Sequence, residues 1–165
     1  MDHQQIGWAL VGQIVNSWSM VDQCVDEMLL GVRHSDEALI QKVHWRQLSA
    51  KINSLLDLQE RVDSDWPCAE LAKHILKDAL EAYEDRNDLV HGTAWFENIN
   101  RVHYSRWHIK NDKMRLVRRT LRTQDLMNFA VKSSEIAKNV HALAADWKKL
   151  YPLPADAIEA ETSDS

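Results

Sequence analysis

The strongest constraint on this chain is a helical spacing of apolar residues that is interrupted once. Apolar residues recur every three or four positions, the period of one helix face, within about residues 4–31, 35–63, 65–91 and 123–151. Residues 93–122 differ, because apolar and polar residues there alternate. The pattern predicts an all-α fold class: a four- to five-helix up-down bundle with a small β-hairpin inserted before the last helix.

Glycine, proline and capping residues predict where the helices begin and end. Gly31 is predicted to end the first helix, and Ser35 or Asp36 to cap the second. The segment 65–67, Asp-Trp-Pro, is typical of a helix start, because proline is tolerated in the first turn. Gly92 is predicted to end the third helix directly after His91.

The interrupting segment predicts a short aromatic link followed by a hairpin. Trp95, Phe96 and Ile99 form the link, and the alternation that follows slips in phase near 105–106, as a β-bulge would produce. Asn111-Asp112 indicates a turn. Residues 114–121 fit either a second strand or a helical lead-in, and a hairpin is the preferred interpretation.

Thr123 is predicted to cap the last helix, and Pro152 and Pro154 to stop it. Residues 1–151 are therefore interpreted as a single domain, in which 93–122 is a basic hairpin insertion. Residues 152–165 are acidic and poor in large apolar groups, which predicts a flexible tail.

The composition indicates a cytoplasmic protein with a packed core and no membrane association. The apolar fraction is 45% and there are seven Trp, which excludes a disordered chain. No apolar run approaches a membrane span and no signal-peptide pattern is present. Cys24 and Cys68 both fall on apolar helical stripes, so buried free thiols in a reducing compartment are expected.

Positive charge is concentrated in the hairpin. Residues 101–122 hold eight cations and one anion, a net charge of +7, in a chain whose net charge is −5. Such a segment could bind backbone phosphates while its aromatic rings stack on bases. Alternatively it is a solvated hairpin that docks on the acidic remainder or on a partner. The candidate substrate-binding residues are Arg101, Arg106, Trp107, Arg115, Arg118 and Arg119.

The chemistry-bearing stretch is Arg86-Asn87, then three residues and His91, at the end of the third helix. Asn87 and His91 are four apart and share a helix face. Arginine binds phosphate bidentately, and histidine can move a proton near neutral pH. The alternative is structural, because cations near a helix C-terminus are favoured by the macrodipole whatever the function.

Other catalytic signatures are absent from the sequence. Four Gly in the whole chain make a phosphate-cradling glycine loop improbable, and no His-Glu-x-x-His or Cys-x-x-Cys occurs. His103 and His108 are five apart in a strand, so opposite faces are expected and no metal site is predicted. No cofactor is predicted.

The stretch from Arg86 through Asn87 to His91, followed by Gly92, resembles the motif of the HEPN superfamily of helical ribonucleases. In that family an arginine, often followed by a polar residue, precedes a histidine by a few positions. The resemblance implies a metal-independent endoribonuclease of HEPN-type helical fold in which Arg86, Asn87 and His91 are catalytic. It also implies a homodimer in which two copies of the motif face each other across a two-fold axis.

The function expected from these observations is RNA cleavage by 2′-hydroxyl attack, giving a 2′,3′-cyclic phosphate. The resemblance favours a microbial role in defence, a toxin–antitoxin pair or stress response, where an inhibitory partner protein would hold the activity off. One alternative is a non-catalytic helical module that binds nucleic acid or a partner protein through residues 101–122. Another is a helical dimer with no role in nucleic-acid binding.

Overall fold

Helices account for most of the chain, as the periodicity predicts. The structure is a computed structural model that describes residues 3–36, 47–61, 69–98, 100–110 and 113–154. Four helices occur among these residues: α1 (His3–Ser35), α2 (Leu48–Arg61), α3 (Ala69–His91) and α4 (Thr123–Leu150). Three strands lie between α3 and α4: β1 (Thr93–Asn98), β2 (Arg101–Lys110) and β3 (Lys113–Arg122). They form one antiparallel sheet in the order β1-β2-β3.

Two predicted helix ends are confirmed and one is wrong. α3 ends at His91 and α4 begins at Thr123, where the carboxylate of Asp125 accepts a hydrogen bond from the backbone amide of Arg122. α1 does not end at Gly31 but continues to Ser35. Glycine is needed there for close packing, because a Cβ at Gly31 would meet the backbone carbonyl of Tyr151. A glycine required for contact was therefore interpreted as a stop signal.

Some predictions concern residues outside the described part of the chain. They are residues 37–46 of the predicted second helix, the 65–67 helix start, Cys68, Ile99, the 111–112 turn and the acidic tail beyond 154. Ser35 is described, but as the last residue of α1, where its hydroxyl donates to the carbonyl of Gly31.

The predicted hairpin is present and belongs to a larger sheet. Residues 113–122 form β3, which pairs with β2 along its whole length. The segment interpreted as an aromatic link forms β1, so the sheet has a third strand that the sequence analysis missed. The bulge predicted near 105–106 is wrong, because the β2–β3 register is continuous there and the irregularity lies between Phe96 and Asn98.

The sheet has one buried and one exposed face because successive side chains point to opposite sides. Phe96, Val102 and Tyr104 occupy one face and are buried. Trp95 and Trp107 occupy the other face and are 46% and 57% exposed. The phase slip in the sequence therefore arises within one regular strand. The large apolar residues lie on the buried face at Val102 and Tyr104, and on the exposed face at Trp107.

Residues 1–19 and 81–137 form one of two compact units, and this unit contains the sheet. Its core includes Trp18, Val102 and Leu126, all fully buried. Trp8 packs edge-on against Phe96, with ring centroids 5.4 Å apart. Gly7 lies against the same ring, and a Cβ there would overlap it. Glycine at this position thus permits α1 and β1 to approach closely.

Residues 20–80 and 138–165 form the second unit. Lys51 is buried there and donates to Asp22 and Asp26 of α1, both at 2.9 Å. Burial lowers the pKa of Lys51, but the hydrogen bonds to Asp26 and Asp22 outweigh it, so the pKa is raised and the ammonium stays charged. Cys24 is a buried free thiol, as predicted, and burial raises its pKa.

Within the described ranges, no helix has the length and apolarity that crossing a membrane requires.

Replacing Gly7 by Ala should destabilise the fold, whereas replacing Gly12 by Ala should stabilise it. Both changes favour the helix by up to about 1 kcal/mol. At Gly7 the new methyl group must displace the Phe96 ring, and such overpacking costs about 1–3 kcal/mol. Gly12 has open space at that position. Urea unfolding of the two variants measures the difference, and equal stabilisation of both would contradict the Gly7–Phe96 contact.

Candidate functional site

Arg86 is held on the last turns of α3 by contacts to neighbouring side chains. Its Nη1 donates to Oδ1 of Asn87 at 2.9 Å, and its Cζ lies 5.9 Å from the centroid of the Tyr83 ring. The Nε of Arg86 is buried and has no hydrogen-bond partner within the described part of the chain. A buried guanidinium nitrogen without a partner is costly, and an anionic ligand would satisfy it.

The ring beneath Arg86 is itself supported by the core. Tyr83 packs edge-on against Trp18, with centroids 6.3 Å apart. Trp18 is fully buried, and its indole Nε1 donates to the hydroxyl of Ser133 on α4 at 3.2 Å. Side chains of α1, α3 and α4 therefore determine where the guanidinium lies.

Asn87 is oriented by the same hydrogen bond. Because its Oδ1 accepts from Arg86, its Nδ2 group is the end that can donate. A donor at this position suits a phosphate oxygen or an imidazole nitrogen. The role predicted for Asn87, to donate to phosphate or to orient His91, stays a prediction.

His91 is the last residue of α3 and is exposed. Partial desolvation, followed by the positive charges of Arg86 and Arg106, lowers its pKa below the ordinary histidine value. The helix C-terminus acts in the opposite direction, because the macrodipole favours a cation there. The net shift is downward, so desolvation and the two guanidinium groups favour the neutral form of His91.

Arg106 therefore belongs to the site, although it lies on β2 and is distant from the motif in sequence. It shares the buried face of the sheet with Tyr104 and is itself only partly exposed. The structure thus brings together two cations and one titratable imidazole. The sequence marked Arg106 only as one of several cations of the basic segment.

A cavity of about 310 Å³ lies in the same compact unit, but Arg86, Asn87, His91 and Arg106 do not line it. Its lining combines two carboxylates, two cations, an amide, a phenol and apolar side chains from α3, the sheet and α4: Asp85, Leu89, Tyr104, Arg119, Leu121, Asp125, Asn128, Phe129 and Lys132. Arg119 Nη1 donates to the hydroxyl of Tyr104 at 3.4 Å, across the β2–β3 pair. The mixture suits a ligand that has both a charged and a planar part.

The six candidate substrate-binding residues do not form one surface. By strand alternation and register, Arg106, Arg115 and Arg119 belong to the face of the sheet that carries Tyr104. Arg101, Trp107 and Arg118 belong to the opposite, exposed face. The basic segment therefore supplies cations on two sides.

Several residues of the site were missed by the sequence analysis. Tyr83 supports Arg86, but its position reads only as part of the apolar stripe of α3. Trp95 was assigned to a link, although it faces outward from a strand. An alternation count that began at Thr93 rather than at Val102 would have found it.

Among the described residues, no group of three or more His, Cys, Asp and Glu side chains could hold a metal ion. Comparison of the chain with protein-family models, with curated proteins and with solved structures finds no match.

Replacing Arg106 by Ala should raise the pKa of His91 toward the ordinary histidine value, because one of the two opposing charges is removed. Arg118→Ala is the matched control, since it removes the same charge from the other face of the sheet. An NMR titration of the imidazole resonances, assigned with a His91→Gln variant, measures both. An unchanged pKa in Arg106→Ala, or equal shifts in both variants, would refute the proximity of Arg106 to His91.

Proposed function

We propose that the chain is a metal-independent endoribonuclease of HEPN type that cuts RNA by attack of a ribose 2′-hydroxyl. The observation that carries this proposal is the ordered guanidinium of Arg86, whose buried Nε has no partner among the described residues, at the helix end that also carries His91. The resemblance of the Arg86–His91 stretch to the HEPN motif supplies the reaction class. The catalytic residues of the proposal are Arg86, Asn87 and His91.

The two guanidinium groups would bind the phosphate that is cleaved. In the reaction a bond forms between the 2′-oxygen and phosphorus, and the bond from phosphorus to the 5′-oxygen breaks. Negative charge increases on the phosphate oxygens in the transition state, where positioned cations contribute most. The buried Nε of Arg86, which has no partner among the described residues, supports this role because an anionic oxygen would complete its hydrogen bonding.

His91 would act as the general base that accepts the 2′-hydroxyl proton. A base must be unprotonated before it reacts, and the lowered pKa keeps His91 in that form at neutral pH. Binding of a phosphate would oppose the charges of Arg86 and Arg106 and raise the pKa of His91 again. Proton acceptance would then become easier when the substrate is in place.

The departing 5′-oxygen needs a proton donor, and one imidazole cannot be base and acid at the same time. The side chain of His103 is no candidate, because it lies on the exposed face of the sheet and contacts Glu97 and Thr120 there. A homodimer, in which the motif of a second copy supplies the acid, resolves this difficulty. The products would be a 2′,3′-cyclic phosphate and a free 5′-hydroxyl.

The proposed setting is the cytoplasm of a microbial cell, in defence, a toxin–antitoxin pair or stress response. An enzyme that cuts cellular RNA has to be restrained, so an inhibitory partner protein belongs to the proposal. The second candidate is a non-catalytic module that binds nucleic acid through residues 101–122. The exposed tryptophans of the sheet support this binding module and the enzyme equally.

In excess EDTA, wild-type protein should cleave a mixed RNA pool, and His91→Ala should lower the rate by about 10²- to 10⁴-fold, the usual contribution of a general base. Arg86→Ala should lower it by about 10²- to 10³-fold, because charge on the phosphate loses a donor. The rate should also fall as the pH drops through the depressed pKa of His91, because the protonated base is inactive.

His74→Ala is the matched control for these cleavage assays, because His74 is an exposed histidine whose contact is an ion pair with Asp78. Circular dichroism establishes that each variant is folded. Equal cleavage by every variant would show a contaminating nuclease. Cleavage by none would exclude the enzyme under these conditions and leave the binding module as the better candidate.

Light scattering should give twice the mass of one chain. If each site takes one imidazole from each copy, an excess of His91→Ala protein should exchange into wild-type dimers and suppress cleavage per wild-type chain. An equal excess of an unrelated protein controls for dilution. A monomer, or activity that is unaffected by the inactive variant, would contradict the composite site.

A further inference from the structure

The exposed face of the sheet carries aromatic and cationic residues that the cleavage site does not use. Trp95 and Trp107 are 46% and 57% exposed there, although the opposite face buries its aromatic residues. A single exposed tryptophan is common on protein surfaces. Two on one sheet face, together with arginines, are typical of an interaction surface.

Trp95 is held in a fixed orientation. It stacks on His103 of the adjacent strand, with ring centroids 5.2 Å apart and planes 18° apart. The imidazole is itself fixed, because one ring nitrogen lies 2.9 Å from a carboxylate oxygen of Glu97 and the other lies 2.9 Å from the hydroxyl of Thr120. A ring that is already ordered loses little entropy when another ring stacks on it.

Trp107 lies further along the same face. The register pairs Trp95 with position 103, and Trp107 is four residues beyond that position on β2. At the usual strand rise and strand separation, the two Cα atoms are about 14 Å apart. The row between them contains Thr93, Ser105 and Arg118, so a guanidinium group lies alongside the gap between the two indoles.

The charges on this face favour a polyanion. Arg118 is exposed on β3, and Arg101 has a side chain that is 64% exposed. The nearby anion, Glu97, is engaged by His103, and Arg101 lies 4.0 Å from its carboxylate. Net positive charge and exposed indoles together fit a ligand that has both phosphates and planar bases.

We propose that this face binds single-stranded RNA, with bases stacked on Trp95 and Trp107 and the backbone phosphates contacted by Arg101 and Arg118. Flat open sheets that present aromatic rings bind unpaired bases in this way, because every base has a face to stack. A duplex would not fit, because its bases are already stacked on one another. The identity of the ligand as RNA rests on the proposed function, whereas the binding surface does not depend on cleavage.

The experiment measures binding without cleavage. The His91→Ala chain is titrated against a fluorescein-labelled twelve-nucleotide RNA of mixed sequence, and fluorescence anisotropy gives the Kd. Trp95→Ala and Trp107→Ala, each added to this background, should weaken binding by roughly 5- to 150-fold, the range of one lost base–aromatic stack. Trp107→Phe should recover most of the loss, because a ring remains for stacking.

Arg118→Ala should lower the slope of log Kd against log salt by about one, because one phosphate contact is lost. Leu71→Ala is the matched control for the removal of exposed apolar surface, since Leu71 lies on α3, far from the sheet in sequence, and is 58% exposed. It should leave the Kd unchanged. The same RNA annealed to its complement should bind more weakly and with no dependence on Trp107.

An unchanged Kd in both tryptophan variants, with intact circular dichroism, would overturn the proposal. The proposal would also be overturned if the tryptophan variants changed the oligomeric state, measured by light scattering, without changing the Kd. The face would then be a contact between copies of the chain. Since the protein used cannot cleave, absence of catalysis in wild type leaves this result unaffected. The cleavage assay therefore tests the proposed function, and the binding assay tests the RNA-binding face independently of it.

Discussion

The candidate site depends on the packing of one buried tryptophan. Trp18 contacts Tyr83 by an edge-on ring interaction and Ser133 by a hydrogen bond, so it joins side chains of three helices. Tyr83 in turn lies beneath Arg86. A long flexible arginine at the surface would sample many rotamers. Here the aromatic support and the hydrogen bond to Asn87 restrict it, and the cation is ordered before any ligand binds.

The sheet turns one basic segment into two surfaces with different chemistry. On the side of Tyr104, Arg106 contributes to the lowered pKa of His91, and Arg119 lines a cavity. On the other side, Arg118 lies in the row between the exposed indoles of Trp95 and Trp107. We infer that the cleavage site and the RNA-binding face would use the same strands without sharing a side chain.

The sequence predicted the features that depend on local periodicity. It did not predict the features that depend on contacts between segments distant in the chain. Helical spacing and the capping residues located the end of α3 and the start of α4, because these signals lie within a few residues of the boundary they mark. Gly31 was misinterpreted because a glycine that ends a helix and one that admits a neighbouring carbonyl look alike in sequence. The predicted bulge near 105–106 was wrong for a related reason, since a change in which residues are buried resembles a change of register.

The sequence by itself determined the helical class, the interruption of the helical pattern at residues 93–122, and the position of Arg86, Asn87 and His91 at a helix end. These follow from the spacing of residues along one chain segment, which fixes a helix face or a turn. Only the tertiary structure decided that Arg106 acts on His91 and that Trp95 and Trp107 share an exposed face. Those relations join residues distant in sequence, and the physical reason is register: a strand's pairing, not its composition, determines which side chains become neighbours.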